Sequence, residues 1–120
     1  MITVNLYYTG RTGSARAFCE EMESSKIADE IRSESGNLRY QYFQSLSDPE
    51  TVLLIDSWED QAALDAHHAS PMMSRIASLR EKYDLHMSVE RFVGMDANAA
   101  DEKYIRKRNE RGIPSERKDD

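Results

Sequence analysis

The chain has 120 residues, of which 39% are hydrophobic and 32% charged, and its formal net charge is −6. This length predicts a single domain, and the acidic balance argues against a nucleic-acid partner because phosphate binding needs a basic face. One cysteine, Cys19, excludes an internal disulfide and a cysteine-based zinc cluster. No signal-peptide pattern or long apolar run is present, so we expect a cytoplasmic protein with no membrane partner.

The first third of the chain predicts a strand followed by an interrupted helix. Residues 2–9 (ITVNLYYT) are rich in β-branched and aromatic side chains, as strands are. The apolar residues that follow at helical spacing are Ala15, Phe18, Cys19 and Met22. The stripe resumes at Ile27, five residues on, which predicts a break near residues 24–25. Residues 36–37 (Gly-Asn) then end the helical region.

Two strands are predicted in the middle of the chain. Residues 38–46 alternate, with Tyr40 and Tyr42 on one face and Arg39 on the other. The next strand, residues 51–58, has an apolar VLLI core on both of its faces. In a sheet with one solvent-exposed face, apolar and polar residues alternate along each strand. We therefore expect this strand to be covered on both sides.

The remaining elements are a short helix, a longer helix and a last strand. Residues 60–68 form the short helix, and Ser70 is expected to cap the next one, with Pro71 in its first position. Residues 85–93 form the last strand. The order β-α-β-β-α-β predicts an α+β, ferredoxin-like domain over residues 1–94.

A four-stranded sheet with helices on one face leaves its other face bare. That face would carry apolar residues, and an exposed apolar sheet surface tends to associate with another protein surface. We therefore expect a homodimer in which two sheets pack face to face. The charged tail, residues 95–120, has few large apolar side chains. It is expected to be partly disordered, at least after Arg111, while the segment around Tyr104 and Ile105 could dock on the body of the domain or on the partner subunit.

Three segments carry a family resemblance: ITVNLYYTG, GNLRYQYFQSLSDPETVLLIDSWED and LDAHHASPMM. With these segments, residues 1–94 resemble the antibiotic biosynthesis monooxygenase family, in particular its quinol-monooxygenase-like members. The resemblance implies a dimeric α+β barrel. It also implies oxygenation of phenolic or quinol-type substrates by dioxygen, without metal, flavin or haem, in a pocket between helices and sheet. Many members carry a His after Ser-Pro, and this chain has Met72 at that position. The resemblance therefore implies that a second pocket imidazole is missing here, unless His68 takes its place.

His67 is the candidate catalytic residue. It lies three residues after Leu64 on the inward side of the short helix, and imidazole is the side chain that exchanges a proton near neutral pH. The alternative is a structural histidine bonded to a backbone carbonyl at the helix end. His68 is about 100° further round the helix, so both rings cannot point straight into one pocket. Adjacent histidines also make a poor chelating pair, and we expect no metal site.

Five further residues are candidates for substrate binding, besides His68. Trp58 could stack on a flat ring, and Tyr40 and Tyr42 could offer hydroxyl groups. Arg39 could bind an anionic substrate, and Asn5 is a polar amide in the middle of an apolar strand. Each of them could instead have a purely structural role, as a core residue, an interface residue or a solvent-exposed residue at the edge of the sheet.

Three functions follow from this sequence. The first is a cofactor-independent monooxygenase that oxidises a quinol or polycyclic phenol to a quinone, with dioxygen as co-substrate. The second is a non-catalytic dimeric protein of the same fold that binds a small aromatic ligand. The third is a haem-binding or haem-degrading relative, which the absence of a histidine from the second helix region, residues 72–83, disfavours.

Overall fold

A computed structural model describes residues 1–108 of the chain. Its elements are β1 (Ile2–Thr9), α1 (Ser14–Ser24), α2 (Ile27–Arg32), β2 (Asn37–Gln44), β3 (Thr51–Trp58), α3 (Gln61–His68), α4 (Met72–Lys82) and β4 (His86–Val93), followed by a 3₁₀ helix, Ala99–Tyr104. The predicted break after α1 is confirmed, because Lys26 adopts a left-handed conformation (φ 69°) between α1 and α2.

The four strands form one antiparallel sheet in the order β2-β3-β1-β4. The α1–α2 segment carries the chain from β1 to β2 across β3, and α3–α4 carries it from β3 to β4 across β1. This is the α+β, ferredoxin-like topology that the sequence predicts.

One face of the sheet packs against the helices and contains the core. The alternate residues of β1 that face the helices include Leu6 and Tyr8, and their partners on β3 are Leu54 and Val52. The largest fully buried side chains are Trp58, Tyr8, Phe18, Met22, Ile31, Leu54, Leu64 and Ile76. Every residue of β4 is exposed, including Met87 and Val89 on the helix-facing side. The helices therefore leave an opening beside β4.

The opposite face of the sheet has no helix over it. Among its side chains are Tyr7 on β1, Phe43 on β2, Leu53 and Ile55 on β3, and Phe92 on β4. The first four are partly exposed, and Phe92 is 49% exposed. Within one chain, β3 is thus covered on the helix side alone, whereas the sequence predicts cover on both sides.

The connection between α3 and α4 differs from the expected capping pattern. Asp60 caps α3, because its side chain accepts the Ala63 N–H at 2.9 Å. Ser70, however, does not cap α4: its hydroxyl is buried without a hydrogen-bond partner. Its backbone carbonyl accepts the Met73 N–H at 3.2 Å instead, so a backbone turn through Pro71 starts the helix.

The segment after β4 runs out along the surface of the described part of the chain. Tyr104 is 77% exposed and Ile105 is 46% exposed. The disorder predicted after Arg111 lies outside the described residues. Among residues 1–108, no helix is long and apolar enough to cross a membrane.

Leu64 anchors α3 to the sheet, and its loss should lower stability measurably. It is 1% exposed, so Leu64→Ala leaves a cavity and should reduce the free energy of unfolding by about 2–5 kcal/mol. Leu46→Ala is the matched control, since Leu46 is fully exposed in the β2–β3 turn and its change should stay within about 0.5 kcal/mol. Urea unfolding of the two variants and the wild type measures both values. Equal stabilities would contradict this packing.

Candidate active site

A cavity of about 310 Å³ lies between the sheet and the helices α3 and α4. Apolar side chains of β1, β3 and β4, including Leu6, Leu54 and Met87, form much of its wall. Its polar lining residues are Tyr40, Asp56, His67, His68, Arg80 and Arg91. This cavity therefore places ionisable groups from α3, α4, β3 and β4 around one small apolar space.

His67 borders this cavity and is held on two sides. The ring is 4% exposed, and its Nδ1 lies 2.8 Å from Oε2 of Glu34. Because a carboxylate accepts, the Nδ1–H donates to Glu34 and leaves Nε2 as the nitrogen with the free lone pair in the neutral ring. Nε2 has no hydrogen bond to any described residue. The ring also stacks on Trp58, with centroids 4.8 Å apart at 27°.

A tight turn after α2 brings Glu34 to His67. Gly36 in this turn has a left-handed conformation (φ 84°), which favours glycine. A Cβ at this position would also lie 2.5 Å from the Cβ of Ala63 on α3. The absence of a side chain at Gly36 thus lets the turn approach α3 closely enough for the Glu34–His67 contact.

Asp56 is a buried carboxyl group in the lining of the cavity. It is 6% exposed, and its Oδ1 accepts the indole N–H of Trp58 at 2.7 Å. Burial raises its pKa to about 6, against the opposing effects of the Trp58 hydrogen bond and the nearby His67. Trp58 is fully buried and does not line the cavity itself. It contacts two of the lining residues, Asp56 and His67.

Both histidines of α3 border the cavity, although the helix directs them apart. Their ring centroids are 5.7 Å apart at 42°. The cavity therefore extends round two sides of the last turn of α3, which helical geometry alone does not indicate. Burial lowers the pKa of His68, and the neighbouring His67 adds to that effect.

The two tyrosines of β2 divide between two spaces. Their hydroxyl oxygens are 3.1 Å apart, and Tyr40 borders the cavity, whereas Tyr42 borders a groove beside α1. Burial raises the pKa of each phenol far above its ordinary value. Tyr40 and Tyr42 can therefore act as neutral hydrogen-bonding groups.

Asn5 and Arg39 lie on the opposite face of the sheet from the cavity. Asn5 pairs in register with Ile55 and Glu90, and its side-chain oxygen is buried without a partner. The guanidinium of Arg39 lies 5.3 Å from the centre of the Phe43 ring. The structure thus does not bring these two residues together with His67.

Sequence reasoning missed four residues of this region: Glu34, Asp56, Arg80 and Arg91. Glu34 and Arg80 sit among other charged residues of their helical regions and carry no motif. Asp56 did have a signal, because it is an acid in an otherwise apolar strand, two residues before Trp58. A buried acid at such a position needs a donor or a function.

A wider groove of about 1000 Å³ runs between α1 and the β2 edge. Its lining includes Cys19, Tyr42, Tyr83 and the acidic side chains of α1. Burial raises the pKa of the Cys19 thiol to about 12, which leaves it unreactive. No histidine is among its described lining residues, so the smaller cavity is the candidate active site. Within residues 1–108, no three His, Cys, Asp or Glu side chains group as a metal site would require.

Several known proteins are similar to this chain. A Bacillus subtilis protein named "Putative monooxygenase YcnE" is 26% identical over 68 residues, which are 57% of this chain and 70% of that protein. A solved structure from Deinococcus radiodurans, described as a "putative antibiotic biosynthesis monooxygenase", superposes with a TM-score of 0.71 at 19% identity and covers 82% of this chain and 96% of that one. SnoaB from Streptomyces nogalater, described as a cofactor-independent oxygenase, has a TM-score of 0.66 at 16% identity over 82% and 96% of the two chains.

The structural matches establish the fold, and the family follows from the sequence. The model of the family described as "Antibiotic biosynthesis monooxygenase" matches residues 1–78, which is well over half of the chain. This match contains β1 to β3, α3 and most of the polar residues around His67. The chain belongs to the antibiotic biosynthesis monooxygenase family.

Proposed function

We propose that this protein is a cofactor-independent monooxygenase that oxidises a quinol or polycyclic phenol with dioxygen to a quinone. The observation that carries the proposal is the buried His67 at the cavity, oriented by Glu34 through a 2.8 Å contact. Family membership favours oxygenation as the reaction class. The description of SnoaB as a cofactor-independent oxygenase supports chemistry without a cofactor.

His67 acts as the general base in this proposal. A phenol has a pKa of about 10 and an imidazolium about 6.5, so the proton transfer costs on the order of 5 kcal/mol. The Glu34 carboxylate accepts the Nδ1–H at 2.8 Å and so orients the ring. The lone pair on Nε2 is the site that takes the phenolic proton.

The substrate itself supplies the electrons. The phenolate transfers one electron to dioxygen, and the radical pair combines to a ring peroxide. Loss of water then leaves a carbonyl, so that one quinol and one dioxygen give one hydroxyquinone and one water. The protein contributes the proton transfers and a cavity that excludes water.

The other predicted binding residues have different parts in this proposal. His68 and Tyr40 border the cavity and are placed to contact substrate. Trp58 acts through His67, and Tyr42 acts through the Tyr40 hydroxyl. Met72 packs against the core and does not line the cavity, so His68 is the second imidazole available there. Asn5 and Arg39 take no part in it.

Replacing His67 should slow oxidation strongly. His67→Ala and His67→Gln should lower kcat by about 10²–10⁴ because general base catalysis contributes about that much. Oxygen uptake by the metal-free protein, with quinone formation followed by absorbance, measures the rate on a panel of quinols and polycyclic phenols. His86→Ala is the matched control, since His86 is exposed on the other face of the sheet.

Two outcomes of that assay contradict parts of the proposal. A rate in the folded His67 variants equal to that of wild type would remove the role of His67. No uptake above autoxidation with any panel member, together with saturable binding of the same compounds, would favour a non-catalytic ligand-binding protein.

Asp56 should make stability depend on pH. Its pKa is raised from 3.8 to about 6, so the unfolded chain releases this proton more readily than the folded one. Its contribution to the free energy of unfolding is complete below about pH 4 and is lost by about pH 7. The difference is about 3 kcal/mol, at about 1.36 kcal/mol per pKa unit. Asp56→Asn keeps an acceptor for Trp58 and should remove this component. Urea unfolding of both proteins across that range tests it, and parallel profiles would contradict the buried, protonated carboxyl.

A homodimer is part of the proposed function. The outer face of the sheet carries Tyr7, Phe43, Leu53, Ile55 and Phe92, which lie partly or largely exposed in one chain. Two such faces packed together would bury these side chains and cover β3 on its second side. This arrangement would give the dimeric α+β barrel that the family resemblance implies.

A charge on this face should dissociate the dimer. Ile55→Asp places a carboxylate where the two sheets would meet, and its desolvation should shift the protein to a monomer. Leu46→Asp is the control, because Leu46 lies in an exposed turn outside the sheet. Light scattering after size exclusion should give twice the chain mass for wild type and the control. A wild type of single chain mass at micromolar concentration would reject the dimer.

A further inference from the structure

We infer that the cavity takes its substrate as an anion, namely a one- or two-ring phenol that also carries a carboxylate, bound by Arg80. The inference rests on the proposed function, in that it assigns the substrate class of the same cavity. It starts from an arginine that forms no ion pair within residues 1–108 and whose Nε is buried without a hydrogen-bond partner.

Arg80 reaches from α4 into the cavity lining. One of its terminal nitrogens, Nη2, donates to the Tyr8 hydroxyl at 3.1 Å, and the guanidinium lies 5.6 Å from the centre of the Tyr8 ring. Its Nε is buried without a hydrogen-bond partner. Within residues 1–108 no carboxylate forms an ion pair with Arg80, whereas Arg32, Arg75 and Lys82 each form at least one.

An arginine keeps its charge under all ordinary conditions, and among the described residues Arg80 has no carboxylate in direct contact, only the Tyr8 hydroxyl. Removing part of a cation from water without a contacting anion costs free energy, and a bound anion offsets this cost. Asp56 is the carboxyl group in the same lining; burial raises its pKa to about 6, and the nearby Arg80 opposes that rise. A second arginine, Arg91, also lines the cavity. The described lining thus has two arginines and one carboxyl group, a balance that favours a negative ligand.

A carboxylate fits Arg80 better than a single phenolate oxygen does. The guanidinium offers five N–H donors in a plane, and Tyr8 accounts for one of them. Two parallel donors match the two oxygens of a carboxylate, and such paired contacts are the strong ones. A ligand carboxylate at the terminal nitrogens would leave the phenol ring in the cavity that His67 also lines.

The size and walls of the cavity set the rest of the ligand. Its volume of about 310 Å³ lies at the lower end of the roughly 300–1,000 Å³ that is usual for ligand cavities. Leu6, Leu54 and Ile76 present an apolar surface for an aromatic ring. A one- or two-ring acid suits this space better than a polycyclic phenol of three or four rings.

The test is calorimetric binding without oxygen, using 2,5-dihydroxybenzoate and 2,5-dihydroxybenzamide as matched probes. The two differ in the charge of one group and hardly in shape, so the ratio of their Kd values isolates the contribution of the carboxylate. For wild type the acid should bind about tenfold to a hundredfold more tightly than the amide, as charged hydrogen bonds imply. Equal Kd values, or no binding of either probe, would overturn the inference.

Variants of α4 assign the preference to Arg80. Arg80→Gln should bring the ratio of the two Kd values to about one, and Arg80→Lys should keep part of it. Arg75→Gln is the matched control, because Arg75 lies on the same helix and pairs with Glu30 at the surface. A merely structural Arg80 would lower stability in urea and leave the ratio unchanged. An unchanged ratio in a folded Arg80→Gln protein would therefore reject the assignment.

These outcomes are separate from those of the oxygen-uptake assay. Charge-dependent binding through Arg80 without oxygen uptake would support the ligand class and reject the monooxygenase reaction. Turnover of uncharged quinols, together with equal binding of acid and amide, would support the reaction and reject the anionic substrate.

Discussion

The buried indole of Trp58 is the contact on which the candidate site depends. Its N–H holds the Asp56 carboxyl at 2.7 Å, and its ring face supports His67 at 4.8 Å between centroids. Two ionisable groups from a strand and a helix are thus fixed by one rigid side chain that is itself fully buried. Glu34 completes the arrangement from a third element, the turn after α2. Packing rather than solvent therefore sets the orientation of both groups.

The environment pushes the ionisable groups of the cavity in different directions. Burial raises the pKa of Asp56 to about 6 and lowers the pKa of His68. A guanidinium keeps its charge when it is partly buried. The ring of His67 contacts the Glu34 carboxylate at 2.8 Å. Ionisable groups with perturbed pKa values in one cavity are typical of functional sites, and an arginine without a contacting carboxylate suits the binding of an anion.

A single layer of helices on a sheet leaves two exposed features in this fold. The outer sheet face carries apolar side chains without a cover, and β4 is exposed along its whole length. The first feature suits a second copy of the chain. The second leaves Met87 and Val89, which line the cavity, exposed to solvent. The proposed dimer would therefore use the face of the sheet opposite the cavity.

The sequence by itself determined the elements, their order and the family. Apolar periodicity placed each strand and helix, because burial of one face imposes a repeat of two or about 3.6 residues along the chain. The same periodicity placed His67 inward with Leu64, and both are buried. Periodicity also separated Tyr40 from Arg39, which lie on opposite faces of β2.

Only the tertiary structure decided which polar groups meet. Glu34 and His67 are 33 residues apart, and Arg80 and Tyr8 are 72 apart, so no local pattern records these contacts. The position of Asn5 behind the sheet depended on the register of β1 with β3 and β4. The missing Ser70 cap depended on a backbone turn that satisfied the helix start without it. Periodicity encodes which side of an element is buried, whereas the partner across the core is set by how the elements pack.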